Sequence, residues 1–284
     1  MEQTTFGRTG RTVSRLGFGG APAGLTNYLD TYSPADTAQR EQVIAAIHRA
    51  LELGITYFDT APGYGSGASE EIFGEALVDA GEAVFLATKI NRDEQQVRKS
   101  VEASLRRLRR EQLDLVQIHG SSYTPEQTAS ILGAGGLLSQ LEALREEGLI
   151  RHLGFTSEDN NAAVFDFIAS GRFDVMQICY NLLHQHAYEP TRPFGSLLEA
   201  DRAGMGIVTM RTLTSGLLQK WVRMVNPANS FDYTPALLQF VLSNGLVDVA
   251  LVGMRTVDEV ARNVAIAENL DERIDIGVLH AKYL

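Results

Sequence analysis

The chain has 284 residues, 44% of them hydrophobic, and a formal net charge of −10. That length suits one large domain or two small ones, and the composition excludes a disordered chain. The acidic total excludes a general binder of nucleic acid or anionic membrane, so any anionic ligand must be held by a local cluster of donors.

Cys179 is the single cysteine, so there is no internal disulfide, which suits a reducing cytosol. The opening "MEQTTFGRTGR" lacks an apolar core of signal-peptide length, and no run of about 18 apolar residues follows it. The expectation is a soluble cytoplasmic protein without a membrane partner. Nothing in the residues sets an oligomeric state.

In chain order, "TTFGRTGRTVSRL" predicts an N-terminal β-hairpin turning at Arg8-Thr9-Gly10. Short β-branched or aromatic runs then alternate with stretches of helical period. Strands are predicted at 14–19, 56–61, 84–89 and 113–119, then at 151–157, 175–181, 206–212 and 249–254. Helices are predicted at 38–53, 69–80, 94–110 and 126–147, then at 159–170, 195–204, 234–244 and 257–270. Two helix starts, "TPEQ" (124–127) and "TVDE" (256–259), fit capping boxes. Residues 97–108 put Val97, Val101, Leu105 and Leu108 on one face, leaving an arginine-rich face for solvent.

Eight strand–helix units without a composition break predict an α/β fold, a (β/α)₈ TIM barrel, as one domain over 1–284. Parallel strands buried on both sides should read as continuous apolar runs, and these do. A doubly wound sheet would need fewer strands and a seam between halves.

In a barrel, the C-terminal ends of the strands face one site. Those ends carry Asp59, with Tyr64 in the next loop, then Lys89 and His119. Reducing a carbonyl by hydride leaves negative charge on its oxygen, which needs a proton donor and hydrogen-bond support. Tyr64 is the candidate donor. Lys89 is expected to depress its pKa, Asp59 to keep Lys89 charged, and His119 to hydrogen-bond the carbonyl oxygen. Taken singly, Asp59 equally suits a turn, Lys89 a plain salt bridge, and His119 a satisfied polar residue.

The stretches "GITYFDTAPGYG…SEEIFGEAL", "FLATK" and "LDLVQIH" resemble the aldo-keto reductase family, and the likeness runs from "GRTGRTVSRLGFGG" to "VGMRTVDEVARN". The resemblance implies a catalytic tetrad of Asp59, Tyr64, Lys89 and His119. It also implies a (β/α)₈ barrel and a nicotinamide cofactor, NADPH/NADP+ in preference to NADH. Residue by residue, it implies a cofactor site drawn from Gly19, Gly20, Asp59, Thr156, Ser157 and Gln177, with Met210, Arg211, Leu213, Ser215 and Leu217. From the last strand and helix it adds Gly253, Arg255, Thr256, Glu259 and Asn263. Thr156, Ser157 and Gln177 would meet the nicotinamide amide, 213–217 the pyrophosphate, Arg255 the 2′-phosphate of NADPH, and Asn263 the adenine. Independently of family, the helix start after "GMR" offers N–H groups, and Arg255 a guanidinium, to a phosphate. Three positions depart from the family pattern: Thr156-Ser157 stands for Ser-Asn, Met210 for a stacking aromatic, and Arg262 for a glutamate.

Lesser signals complete the reading. Tyr28, Tyr123 and Trp221, with Tyr32 and Phe231, either wall a substrate pocket or pack within loops. "GYGSGA" (63–68) fits a dinucleotide turn, but the acidic partner about twenty residues on is absent. "HQHAYE" (184–189) has no companion ligands, so no metal is expected. The reading is a carbonyl–alcohol oxidoreductase acting on a small molecule. The alternatives are a sugar or alcohol dehydrogenase of the same kind, a nucleotide-sensing regulatory subunit, and a Schiff-base aldolase using Lys89.

Overall fold

Strands β1 (Gln3–Thr5) and β2 (Thr12–Ser14) form the expected hairpin, paired antiparallel around a 3-10 turn at Gly7–Thr9. The computed structural model describes residues 1–28, 30–185 and 195–276. Eight parallel strands follow. They are β3 (Leu16–Gly19), β4 (Tyr57–Asp59), β5 (Phe85–Asn91) and β6 (Leu113–His119). Then come β7 (Ile150–Ser157), β8 (Val175–Cys179), β9 (Gly206–Met210) and β10 (Val249–Gly253). They close in the order β10-β3-β4-β5-β6-β7-β8-β9, so the predicted barrel is present.

The helices between them are α1 (Ala21–Gly24), α2 (Thr37–Glu52), α3 (Ala68–Ala76) and α4 (Val97–Leu108). After these come α5 (Pro125–Leu132), α6 (Leu137–Glu146), α7 (Ala162–Ala169) and α8 (Gly195–Arg202). The last are α9 (Leu217–Val225), α10 (Thr234–Leu242) and α11 (Val257–Glu268). Two expectations are corrected. The single helix over 126–147 is two, because Gly133, Gly135 and Gly136 interrupt it and Gly135 turns left-handed at φ +72. The long loop over 215–235 contains α9, whose outer face exposes Trp221, Met224 and Val225.

The barrel interior is stratified. Strand side chains alternate between the two faces, so every second residue points inward. At the bottom these are Tyr57, Phe85, Leu115, Val175 and Val249, gathered around Phe6 of the hairpin. The Phe6 ring is fully buried, its centroid 5.5 Å from that of Tyr57 and 5.3 Å from that of Phe85. Gly206 makes room for it, since a Cβ there would lie 2.6 Å from the ring. Thus the N-terminal hairpin is a floor. Moving up by twos, the same inward rows reach Asp59, Lys89, Gln117 with His119, and Gln177: the polar groups gather at the top.

A repeated device pins alternate strands at the bottom. The sequences "LDL", "FDV" and "VDV" place Asp114, Asp174 and Asp248 at the starts of β6, β8 and β10. Each carboxylate accepts a backbone N–H from the preceding strand: Leu86 at 3.0 Å, Leu153 at 3.0 Å and Ile207 at 2.8 Å. Burial pushes Asp248 up to about 6, against the lowering effect of the Ile207 N–H. A carboxyl whose folded pKa exceeds its unfolded one favours folding most when protonated, so stability falls as pH rises from about 4 through about 6. Asp248→Asn keeps an oxygen for Ile207 and removes the titration. Thermal melts of both proteins between about pH 4.5 and 7.5 should show the variant gaining on the wild type as pH rises. A constant offset between the two curves would refute this assignment.

Candidate active site

Four short-range facts build the site. Asp59 ends β4, and its register partner on β5 is Ala87, two residues before Lys89. Lys89 in turn lies opposite Gln117, and Asn91 opposite His119, the last residue of β6. All face inward at the top. Tyr64 arrives from the loop after β4, where "PGYGSG" lets the chain press onto α1. A Cβ at Gly24 would lie 2.3 Å from the Tyr64 carbonyl, and one at Gly65, already at φ +68, 2.1 Å from the Gly24 carbonyl. The tyrosine loop is held by close backbone approach.

Lys89 is 2% exposed. Its Nζ donates to Asp59 Oδ1 at 2.5 Å and to the Thr60 carbonyl at 2.8 Å, and lies 4.9 Å from the centroid of the Tyr64 ring. Burial works against the Lys89 charge, but Asp59 and Tyr64 more than offset it and hold the ammonium above the ordinary lysine range. The Tyr64 and His119 rings meet edge to face, with centroids 5.8 Å apart. Burial lowers His119 to about 3, with the nearby Lys89 charge adding to the effect, so its imidazole is neutral. Tyr64 differs from expectation. Burial raises its phenol above the ordinary value, and the opposing pull of Lys89 does not overcome it. Desolvation outweighs the ion here, and the resting phenol is firmly protonated.

Sequence reasoning missed Gln117. Its Nε2 donates to Asp59 Oδ2 and to Gln177 Oε1, both at 3.0 Å, so it ties the ion pair to the next inward glutamine. The signal was present: "LDLVQI" (113–118) and "FDVMQI" (173–178) repeat one pattern on two strands. Each has an aspartate at the bottom and an inward glutamine three residues above it.

A cavity of about 460 Å³ opens over these groups. Asp59, Tyr64, His119 and Gln177 line one end of it, while Lys89 lies buried behind them. Gly19, Gly20, Gly253 and Tyr28 line its wall, and Met210, Arg211, Leu213 and Ser215 lie along the loop after β9. That loop is strained: Arg211, Thr214 and Ser215 have φ between +50 and +57. A β-branched residue at positive φ is an outlier, and such conformations persist where the surroundings demand them. Glu158, not anticipated from sequence, ion-pairs with Arg211 at 2.7 Å across the rim. The far end is lined by Glu259, Arg262 and Asn263 of α11.

Other candidates lie off the cavity. Thr156 and Ser157 are buried and spend their hydroxyls on backbone, Thr156 on Gly120 and Ser157 on Ser121 and Asp159. Tyr123 is corrected from pocket wall to core. Its ring packs 4.9 Å from Phe167, and its hydroxyl donates to the carbonyls of Ile118 and Thr156. Trp221 and Leu217 on α9 are also outside the lining. The capping box at Thr256 is present. Glu259 Oε2 accepts the N–H groups of Arg255 at 2.7 Å and Thr256 at 3.1 Å, which sets a carboxylate at the helix start that was expected to attract a phosphate. Of "HQHAYE", 186–189 lie outside the described residues; among the described residues no cluster of His, Cys, Asp or Glu suits a metal.

The residues fit a dinucleotide. Asn263 Oδ1 and Gln219 Oε1 are buried at the cavity wall without a hydrogen-bond partner. Buried acceptors of this kind need N–H donors, which an adenine amine or a carboxamide provides.

Comparison with known proteins agrees with this construction. A family profile described as "Aldo/keto reductase family" matches residues 15–236. L-galactose dehydrogenase of Arabidopsis thaliana is 27% identical, over 95% of this chain and 89% of its own. Methylglyoxal reductase YeaE of Escherichia coli is 28% identical, over 89% and 88%. A Klebsiella pneumoniae aldo/keto reductase, solved with NADP and acetate, superposes with a TM-score of 0.71 at 22% identity, covering 94% of this chain and 89% of the other. With the profile running from the first barrel strand to beyond the seventh, the chain belongs to the aldo/keto reductase family.

Proposed function

We propose that this protein is an NADPH-dependent oxidoreductase that interconverts aldehydes or ketones and alcohols, with Tyr64 as the proton donor. One observation carries the reading: the Tyr64 phenol and the His119 imidazole share the end of one cavity, over a buried Lys89–Asp59 pair, where burial favours the protonated phenol and the neutral imidazole. When bound, the reduced cofactor supplies the hydride. Everything else falls to the chain. Tyr64 gives its proton to the carbonyl oxygen, Lys89 stabilises the phenolate left behind, and Asp59 keeps that lysine charged. Neutral His119 donates a hydrogen bond to the same oxygen. Gln177, Asn263 and the strained loop after β9, which line the cavity, would hold the dinucleotide; that a Klebsiella protein of the same fold was solved with NADP supports the choice of cofactor. Met210 packs a thioether where an aromatic is usual. The L-galactose dehydrogenase relative favours a second reading, oxidation of a sugar by the same groups run in reverse.

The test is a panel of aldehydes and ketones with NADPH, and of alcohols and sugars with NADP+, followed by ultraviolet absorbance. Turnover of at least one carbonyl or alcohol class is expected, and none on either arm would overturn the reading. With the best substrate, kcat/KM should show no inflection from His119 between about pH 5 and 8, because an imidazole held near 3 stays neutral there. An inflection near the ordinary histidine value, lost in His119→Gln, would show that this imidazole does titrate.

A further inference from the structure

The end of the cavity lined by α11 is crowded with carboxylates. Arg255, one residue before the helix cap, stands beside that lining and is mostly covered, its side chain 13% exposed. The guanidinium lies 4.6 Å from the centroid of the Tyr32 ring and ion-pairs with Asp30. Tyr32 is a fixed platform, 4% exposed, with its hydroxyl on the Ala23 carbonyl at 2.7 Å and its N–H on Asn27 Oδ1 at 3.0 Å. The second arginine here, Arg262, pairs with Asp232. Asp258 and Glu259 stand in the first turn of α11, and Glu259 folds back onto the N–H groups of Arg255 and Thr256 just ahead of it. The cation expected to attract a phosphate is thus already neutralised by a carboxylate from a loop 225 residues away in sequence.

We propose that Asp30 is a specificity-determining residue for the 2′ position of the dinucleotide, and that through it the protein accepts NADH alongside NADPH. The inference rests on the dinucleotide reading above. A 2′-phosphate and the Asp30 carboxylate are rival anions for one guanidinium, so the phosphate must displace Asp30 and then sit beside it. A free ribose 2′-hydroxyl imposes no such exchange, and a carboxylate is the acceptor suited to it. Asp30 therefore penalises the phosphorylated cofactor selectively. Its own carboxylate is largely exposed, so its loss leaves the fold intact.

Calorimetric titration of wild type, Asp30→Asn and Asp30→Ala with NADPH, NADH, 2′,5′-ADP and 5′-AMP tests this without turnover. The variants should bind NADPH and 2′,5′-ADP about 5- to 30-fold more tightly, with NADH and 5′-AMP unchanged or weaker, the usual scale for relieving one close like-charge contact. Equal gains for phosphorylated and unphosphorylated ligands would show that Asp30 acts on loop closure and would overturn the proposal. So would no change at all. If wild type binds neither dinucleotide, the functional reading itself fails and this inference with it, an outcome distinct from binding that ignores Asp30.

Discussion

Replacing Tyr64 by Phe lowers kcat by about 10²- to 10⁴-fold, the range general-acid catalysis contributes, which is about 3 to 5 kcal/mol of barrier. The ring stays, and with it the edge contact to His119 and the face offered to Lys89. Only the hydroxyl is removed, and with it the proton and the polar contact to Lys89. The affinity for NADPH should hold within about twofold, because the lost hydroxyl adds nothing to uniform binding. Single-turnover rates together with a binding titration separate the two quantities. The raised phenol pKa sharpens the expectation: a phenol that burial keeps protonated is available as an acid throughout the neutral range, so the acid step imposes no fall in rate below about pH 8. Near-normal turnover in the phenylalanine protein would remove Tyr64 from the chemistry, whatever its position.

Much of this was legible before any coordinates. Strand β6 matches its predicted span end to end, because a strand covered on both faces reads as one apolar run. The ends of such runs are also where a barrel gathers its chemistry, which is why Asp59, Lys89 and His119 stood out. What stayed hidden has specific causes. In "ILGAGGLLSQL" the leucines keep helical period across the glycines, so periodicity alone carries a helix through a break that backbone freedom makes. Aromatic residues in loops carry no mark that distinguishes a pocket wall from a core peg. Tyr28 lines the cavity and Tyr123 is buried against α7, yet their flanking sequences do not differ in kind. The sign of the Tyr64 shift depends on how much water the phenol loses, a property of the whole barrel mouth. The Asp30–Arg255 pair joins the two ends of the chain, and no local pattern announces it.

The buried ion pair gives the second large effect, and it separates stability from chemistry. Lys89→Met keeps nearly the volume of the lysine stem but strands Asp59, 1% exposed, with only neutral glutamine partners and no cation beside it. Removing one partner of a buried pair costs about 3–5 kcal/mol at neutral pH. The sign of its pH dependence follows. A stranded buried carboxyl has its folded pKa lifted above the unfolded one, so the variant regains stability as pH falls and loses it as pH rises. Adding Asp59→Asn removes the stranded charge and should recover most of the loss, since a buried pair replaced as a unit is often nearly neutral for folding. Activity should not return with it, because no ammonium remains to stabilise the phenolate. Urea melts of the two single variants and the double variant, beside their kcat values, read both quantities. A double variant that melts like the wild type but turns over like Lys89→Met would show that the pair is retained for chemistry and that the fold does not need it. A double variant no more stable than Lys89→Met would instead mean that the barrel mouth depends on the Lys89 contacts to Asp59 and the Thr60 carbonyl to hold its shape.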